Sequence, residues 1–147
     1  MYINKHTIRD IILPLLVDDF SERFTGRMIV TLADMKSGYD QFTLHILDRD
    51  MTAFMTPIGL LRMTRLLQGA TNSVGQFVRA MFVILEHVMD IAGAYIDDIG
   101  IEGPKTDYGG EETASGIRRY VLEHIRNMDR VLLELERAGV TLDADKT

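Results

Sequence analysis

The chain has 147 residues, 46% of them hydrophobic and 26% charged, and a formal net charge of −6. That apolar content suffices for one globular domain with its own core, and no stretch approaches the roughly 18 apolar residues of a membrane span. The absence of cysteine excludes disulfides and thiolate metal sites, and the acidic balance argues against strong general affinity for nucleic acid, which rests on Lys and Arg neutralising phosphates.

Residues 1–13 read as an extended lead-in without a signal-peptide pattern, so an intracellular, cytoplasmic location without membrane attachment is expected. Pro14 is a natural helix start. Leu15, Leu16, Phe20 and Phe24 follow at near-helical spacing, so 14–24 is expected to be a short amphipathic helix closed by Thr25-Gly26. Met28-Ile29-Val30-Thr31-Leu32-Ala33 predicts a strand that ends on Asp34, followed by a tight bend at Ser37-Gly38. Phe42-Thr43-Leu44-His45-Ile46 alternates as a strand does, and Thr52-Ala53-Phe54-Met55 does so less cleanly before a turn at Pro57-Ile58-Gly59. Asn72 or Ser73 is suited to an N-cap. Val74, Phe77, Val78, Met81, Phe82, Leu85 and Val88 then recur at helical spacing to about Met89, a pattern of core packing rather than of a cofactor box.

Two apolar runs, Ile91-Ala92-Gly93-Ala94-Tyr95-Ile96 and Ile99-Gly100-Ile101, predict a β-hairpin with Asp97-Asp98 at its bend. A polar loop follows over 103–115. Its Gly109-Gly110-Glu111-Glu112 is similar to the catalytic hairpin of diguanylate cyclases, but no apolar strands flank it and a flexible loop tip is expected. A second long helix is expected over 116–138. Val121, Ile125, Met128, Leu132 and Leu135 form its buried stripe, with Arg119, Arg126, Arg130 and Arg137 on a solvated face. Gly139 caps it, and Val140-Thr141-Leu142 is a short last strand. The four histidines, His6, His45, His87 and His124, are scattered without zinc-type spacing. The element order implies an α+β fold, a small antiparallel sheet with helices packed on one face.

Adjacent acids at a hairpin bend have two readings. Asp is a common turn residue whose side chain bonds nearby backbone. Alternatively, two carboxylates in an apolar setting resist joint ionisation, and a divalent cation removes that cost. Asp34, at the end of another strand, supplies a third acid. One carboxylate from a strand and two from a later hairpin suit a two-metal phosphoryl-transfer site, in which ions about 4 Å apart clamp the attacking and leaving oxygens. Spacing permits this site without singling it out.

Tyr95-Ile96-Asp97-Asp98 resembles the Y-x-D-D box of reverse transcriptases, and Thr31-Leu32-Ala33-Asp34-Met35-Lys36-Ser37-Gly38-Tyr39-Asp40-Gln41 resembles the upstream box of gypsy-type LTR retrotransposons. Thr52-Ala53-Phe54-Met55-Thr56-Pro57-Ile58-Gly59 and Leu66-Leu67-Gln68-Gly69-Ala70-Thr71-Asn72-Ser73 are similar to the segments between them. Asn4-Lys5-His6-Thr7-Ile8-Arg9-Asp10 and Pro14-Leu15-Leu16-Val17-Asp18-Asp19 are similar to the start of the same domain. The ordered set covers nearly the whole chain. One departure is Leu67, where the family carries Pro, which frees the backbone just before Gln68.

The resemblance implies a polymerase palm, ferredoxin-like in its sheet, with a partial fingers segment. It implies an RNA-directed DNA polymerase in which Asp34, Asp97 and Asp98 hold Mg²⁺ or Mn²⁺ and a primer 3′-hydroxyl attacks the α-phosphate of a dNTP. Met35, Gly38, Tyr39, Gln68, Gly69 and Tyr95 would line the nucleotide site, with Tyr39 under the sugar as a gate against a 2′-hydroxyl. The implied partners are an RNA or DNA template-primer and the remaining Pol domains, and the implied setting is a virus-like particle in the cytoplasm. Thumb, connection and RNase H domains would lie outside residues 1–147, which favours retained metal binding with weak processive synthesis. A retroelement remnant serving as a binding or assembly module, and a palm-like nucleotidyl cyclase, are the other classes the residues allow.

Overall fold

The computed structural model describes residues 2–10, 17–113 and 115–145. In chain order its strands are β1 (Val30–Asp34), β2 (Phe54–Thr56), β3 (Gly59–Leu61), β4 (Ala92–Tyr95) and β5 (Asp98–Glu102). Its α-helices are α1 (Val17–Glu22), α2 (Gly38–Gln41), α3 (Ser73–Leu85) and α4 (Arg119–Arg137). The central sheet is antiparallel in the order β1-β5-β4, and β2 and β3 form a separate hairpin.

Alternation along β5 decides what each face of the sheet does. Ile99 and Ile101 are buried and meet Phe77, Met81 and Leu85 of α3 and Val131 and Leu135 of α4 in one core. Full burial of each such side chain is worth roughly 1.5–3 kcal/mol. Asp98, Gly100 and Glu102 project to the other face. There a Cβ on Gly100 would run into the Phe24 ring, and one on its cross-strand partner Gly93 into the Arg23 guanidinium. The chain just after α1 therefore covers the face opposite α3 and α4. Glu102, 3% exposed, fixes it there: Arg23 Nε donates to Glu102 Oε1 at 2.8 Å, and Arg27 pairs with Oε2.

Several elements differ from their sequence pattern. Residues 2–5 form a 3₁₀ turn rather than an extended lead-in. Of the helix expected over 14–24, α1 is described over Val17–Glu22, and its expected start at Pro14, Leu15 and Leu16 lies outside the described residues. Only one bridge, Thr43 to Arg65, survives of the strand expected over 42–46. The chain turns there because His45 Nδ1 accepts from the Leu47 amide and the Arg49 guanidinium caps the Leu44 carbonyl. α3 stops at Leu85 and a 3₁₀ turn carries it to Val88, with Phe82 on its exposed side. The last strand is reduced to a bridge between Met35 and Leu142. The loop after β5, expected to be a flexible tip, is tied down at Tyr108: its hydroxyl donates to Glu123 at 2.7 Å, and the Arg119 guanidinium lies 4.1 Å from its ring centre.

The buried stripe of α4 runs through His124, Met128, Val131 and Leu135, whereas Ile125 and Leu132 are 42% and 38% exposed. Polar contacts set this rotation. His124 Nε2 lies 2.8 Å from Thr31 Oγ1 on β1, and the Asn127 amide donates to the Glu102 carbonyl at 2.9 Å. The arginine face is solvated as expected, with Arg119, Arg130 and Arg137 paired to Glu111, Asp90 and Glu134. Among the described residues no helix is long and apolar enough to cross a membrane.

Candidate active site

The sheet register brings the acids to one end. Asp34, the last residue of β1, lies directly opposite Asp98 on β5, and Asp98 in turn faces Tyr95 on β4. Directly opposed residues share a face, so Asp34 and Asp98 are like charges on one rung, an arrangement that is unfavourable without compensation. The β4–β5 hairpin closes through Ile96 and Asp97, and Ile96 adopts φ 54°. This takes Asp97 out of strand alternation. Its carbonyl accepts the Met35 amide at 3.2 Å, which seats the hairpin tip against the end of β1.

Asp34 and Asp97 both line a cleft of about 410 Å³, together with Gly38, Tyr39, Gln68 and Asp143. Met35 also borders it, but its side chain is 2% exposed and belongs to the core, so its contribution to the cleft is backbone. Ser37, at φ 50°, turns the chain into the single turn of α2. Gly38 then lies so close to Phe77 that a Cβ would approach the ring to 3.1 Å, and this low floor lets Tyr39 stack on Phe77 with ring centres 4.9 Å apart. Burial, and after it the charge of Asp97, push the Tyr39 phenol above its ordinary pKa, so it stays a neutral hydroxyl.

Of the residues the sequence pointed to, the cleft unites Asp34, Met35, Gly38, Tyr39, Gln68 and Asp97. Asp98, Gly69 and Tyr95 are not among its described lining residues. Asp98 stands on the rung beside it. Gly69 occupies a left-handed turn at φ 86° and its carbonyl accepts from Asn4 at 3.1 Å. The Tyr95 ring lies 5.7 Å from that of Phe20. Sequence reasoning did not name four of the lining residues as site residues: Lys36, Ser37 and Asp40, which stand inside the upstream box, and Asp143, which stands outside every box. For Asp143 the geometry is set by backbone pairing: its amide donates to the Asp34 carbonyl at 2.9 Å, beside a Lys36 amide that donates to Thr141 at 3.0 Å. The short apolar run just before it was the available signal, since a strand there, paired beside β1, carries the next residue to the end of the sheet.

Among the described residues no three His, Cys, Asp or Glu side chains come together as a ready-made cation cage. The donor set still fits a hard divalent ion. Mg²⁺ takes only one or two protein carboxylates, with waters and substrate phosphates completing its shell, and Asp34 and Asp97 supply two from one cleft.

A sequence profile of the family described as Reverse transcriptase (RNA-dependent DNA polymerase) matches residues 3–147. The chain is 31% identical over 118 residues to the Retrovirus-related Pol polyprotein from transposon gypsy of Drosophila melanogaster, a match that takes in 80% of this chain and 10% of that polyprotein. The chain thus spans about a tenth of the length of that relative. The foamy viral protease-reverse transcriptase in complex with double-stranded DNA superposes with a TM-score of 0.76 at 20% identity, over 96% of this chain and 22% of that one. The foamy viral protease-reverse transcriptase in complex with an RNA/DNA hybrid gives 0.76 at 21% identity, over 98% and 18% of the respective chains. These likenesses identify the fold as α+β and polymerase palm-like. With the family profile matched from residue 3 to residue 147, the chain belongs to the reverse transcriptase (RNA-dependent DNA polymerase) family.

Proposed function

We propose that this chain is the catalytic palm, with part of the fingers, of a retrotransposon RNA-directed DNA polymerase. It would act on a template-primer and a dNTP alongside the remaining Pol domains, which would supply the thumb, connection and RNase H functions. The observation that carries the reading is the meeting of Asp34 and Asp97 in one cleft with Tyr39 and Gln68.

The reaction joins the primer 3′-oxygen to the α-phosphorus of the dNTP and breaks the bond to the β-phosphate, releasing pyrophosphate. Asp34 and Asp97, with Asp98 on the adjoining rung, would hold Mg²⁺ or Mn²⁺. When bound there, such an ion would supply Lewis-acid charge stabilisation for phosphoryl transfer. The chain's own part is positioning. Tyr39, braced on Phe77, gives the sugar a rigid wall where an added 2′-hydroxyl would collide. Gln68, which lines the same cleft, would offer its amide to the sugar or phosphate edge. Gly38 keeps the floor low, and the backbone at Met35 links the floor to the Asp97 turn.

Mn²⁺ binding with and without dNTP, on the wild-type chain and on Asp97→Asn, tests this. A dNTP-dependent gain in Mn²⁺ affinity is expected, with a loss of about tenfold or more in the variant, equivalent to about 1.4 kcal/mol. Absent binding, or binding that the substitution leaves unchanged, would mean that the acids form no site, and the chain would then be a remnant fold serving as a binding or assembly module.

A further inference from the structure

The last residue of the Ser-Gly-Tyr-x-Gln box, Gln41, is not among the residues lining the cleft. Its half-buried amide is engaged at both ends. Nε2 donates to the Lys36 carbonyl at 2.7 Å and to the Thr141 carbonyl at 2.8 Å, while Oε1 accepts the Thr141 amide at 2.8 Å. Two acceptors at one end and a donor at the other fix which way the amide faces. The side chain thus behaves as one residue of a strand, pairing with Thr141 in both directions and with the turn after Asp34 at the same time.

The segments it joins hold the site. Lys36 lies two residues beyond Asp34. Thr141 lies two residues before Asp143, whose amide donates to the Asp34 carbonyl and whose residue lines the cleft. Backbone pairing here amounts to a single bridge, Met35 to Leu142, so the segment after α4 has little strand ladder of its own to keep it in place. We infer that Gln41 is a positioning residue: its amide clamps the 141–143 segment to the Lys36 turn and so fixes the end of β1, and with it the Asp34 carboxylate and the Asp143 wall of the cleft. This rests on the proposed polymerase reading for its metal consequence. The clamp itself can be measured without metal.

The test uses the whole 147-residue chain and Gln41→Met, which keeps the length of the side chain and removes all three hydrogen bonds. Amide hydrogen exchange is read first. Lys36, Thr141 and Asp143 are expected to lose protection by about tenfold or more, while Ile99 and Ile101 in the sheet centre keep theirs. Mn²⁺ affinity in the presence of dNTP is then expected to fall about tenfold, the usual scale for removing a group that orients a ligand. Glu102→Gln, which loosens the far end of the same sheet, separates positioning from general destabilisation: it should lower stability without moving Mn²⁺ affinity. Gln41→Asn, one methylene short of the Thr141 backbone, is expected to move both readings in the same direction by less, and serves if Gln41→Met does not fold. Unchanged exchange at Lys36 and Asp143 would overturn the inference, as would lost protection with unchanged Mn²⁺ affinity. A wild-type chain without dNTP-dependent Mn²⁺ binding sinks the polymerase reading and the metal consequence with it, and the exchange result then decides the clamp by itself. A wild type that binds, beside a Gln41 variant that binds equally, sinks the inference alone.

Discussion

Ile96 holds φ 54°, a conformation that a β-branched residue rarely adopts and that costs roughly 1–3 kcal/mol. The residue stays there because its side chain packs against the core while the turn must swing Asp97 out of the strand and onto the end of β1. His124 shows a different tension. It is 2% exposed, its Nε2 meets Thr31, and its Nδ1 finds no hydrogen-bond partner among the described residues. Burial pushes its pKa down, and the Glu102 backbone carbonyl opposes this in part. The folded state therefore prefers neutral His124 more than the unfolded state does. The stability that follows from this is complete above the unfolded pKa of about 6.5 and is lost as pH falls below it toward the lowered folded value. Thermal unfolding should show the wild type losing stability between about pH 7.5 and about 5.5, with His124→Gln flatter over that window. Parallel pH profiles for the two proteins would contradict the assignment.

At the scale of elements, the Glu102 clamp is the joint between the sheet and the chain after α1. Its carboxylate is 4% exposed against Arg23 and Arg27 at 28% and 21%. Removing the charge from one side of a buried pair costs about 3–5 kcal/mol. The partly exposed arginines put Glu102→Gln near the lower end of that range, which a shift of the urea midpoint at unchanged m-value will read. A midpoint within a few tenths of wild type would mean that the clamp adds nothing. Glu102 also shows why some of this molecule was hidden in its sequence. The alternation of Ile99 and Ile101 reveals a strand, and the heptad-like run from Val74 to Val88 reveals a helix, because apolar periodicity is a local signal. The partner of Glu102 lies 79 residues upstream, and no local pattern encodes it. The rotation of α4 was hidden for the same reason, since His124 and Asn127 look polar until Thr31 and the Glu102 carbonyl are in place to receive them. Asp34, Asp97 and Tyr39 were legible through their boxes. Asp143 was missed because the strand expected over Val140-Thr141-Leu142 stopped one residue short of it, and no local pattern says that this run pairs beside β1.

For the molecule as a whole, the question is whether the site can act on nucleic acid when these residues are tested alone. The net charge is −6, and many of the cations are already engaged: Arg23 and Arg27 by Glu102, Arg62 by Asp50, Arg79 by Asp10, and Arg119, Arg130 and Arg137 of α4 by Glu111, Asp90 and Glu134. Lys36 borders the cleft, but one lysine neutralises one phosphate. Affinity for duplex falls with salt at a slope of about −0.9 per phosphate neutralised. The 147-residue chain should therefore bind a primer-template weakly, with a Kd above about 1 μM at physiological salt and a log–log salt slope shallower than about −3. Fluorescence anisotropy between about 50 and 200 mM KCl, paired with single-nucleotide and running-start extension, reads both quantities. Metal and grip are separable in this architecture. The carboxylates are held by sheet register and a two-residue turn, whereas the grip depends on a cationic surface. Mn²⁺ binding without processive synthesis is thus the expected pair of results. A steep salt slope, or robust extension by the chain alone, would mean that an uncompensated basic surface exists on these residues and that the proposed synthesis depends less on further domains than the charge balance implies.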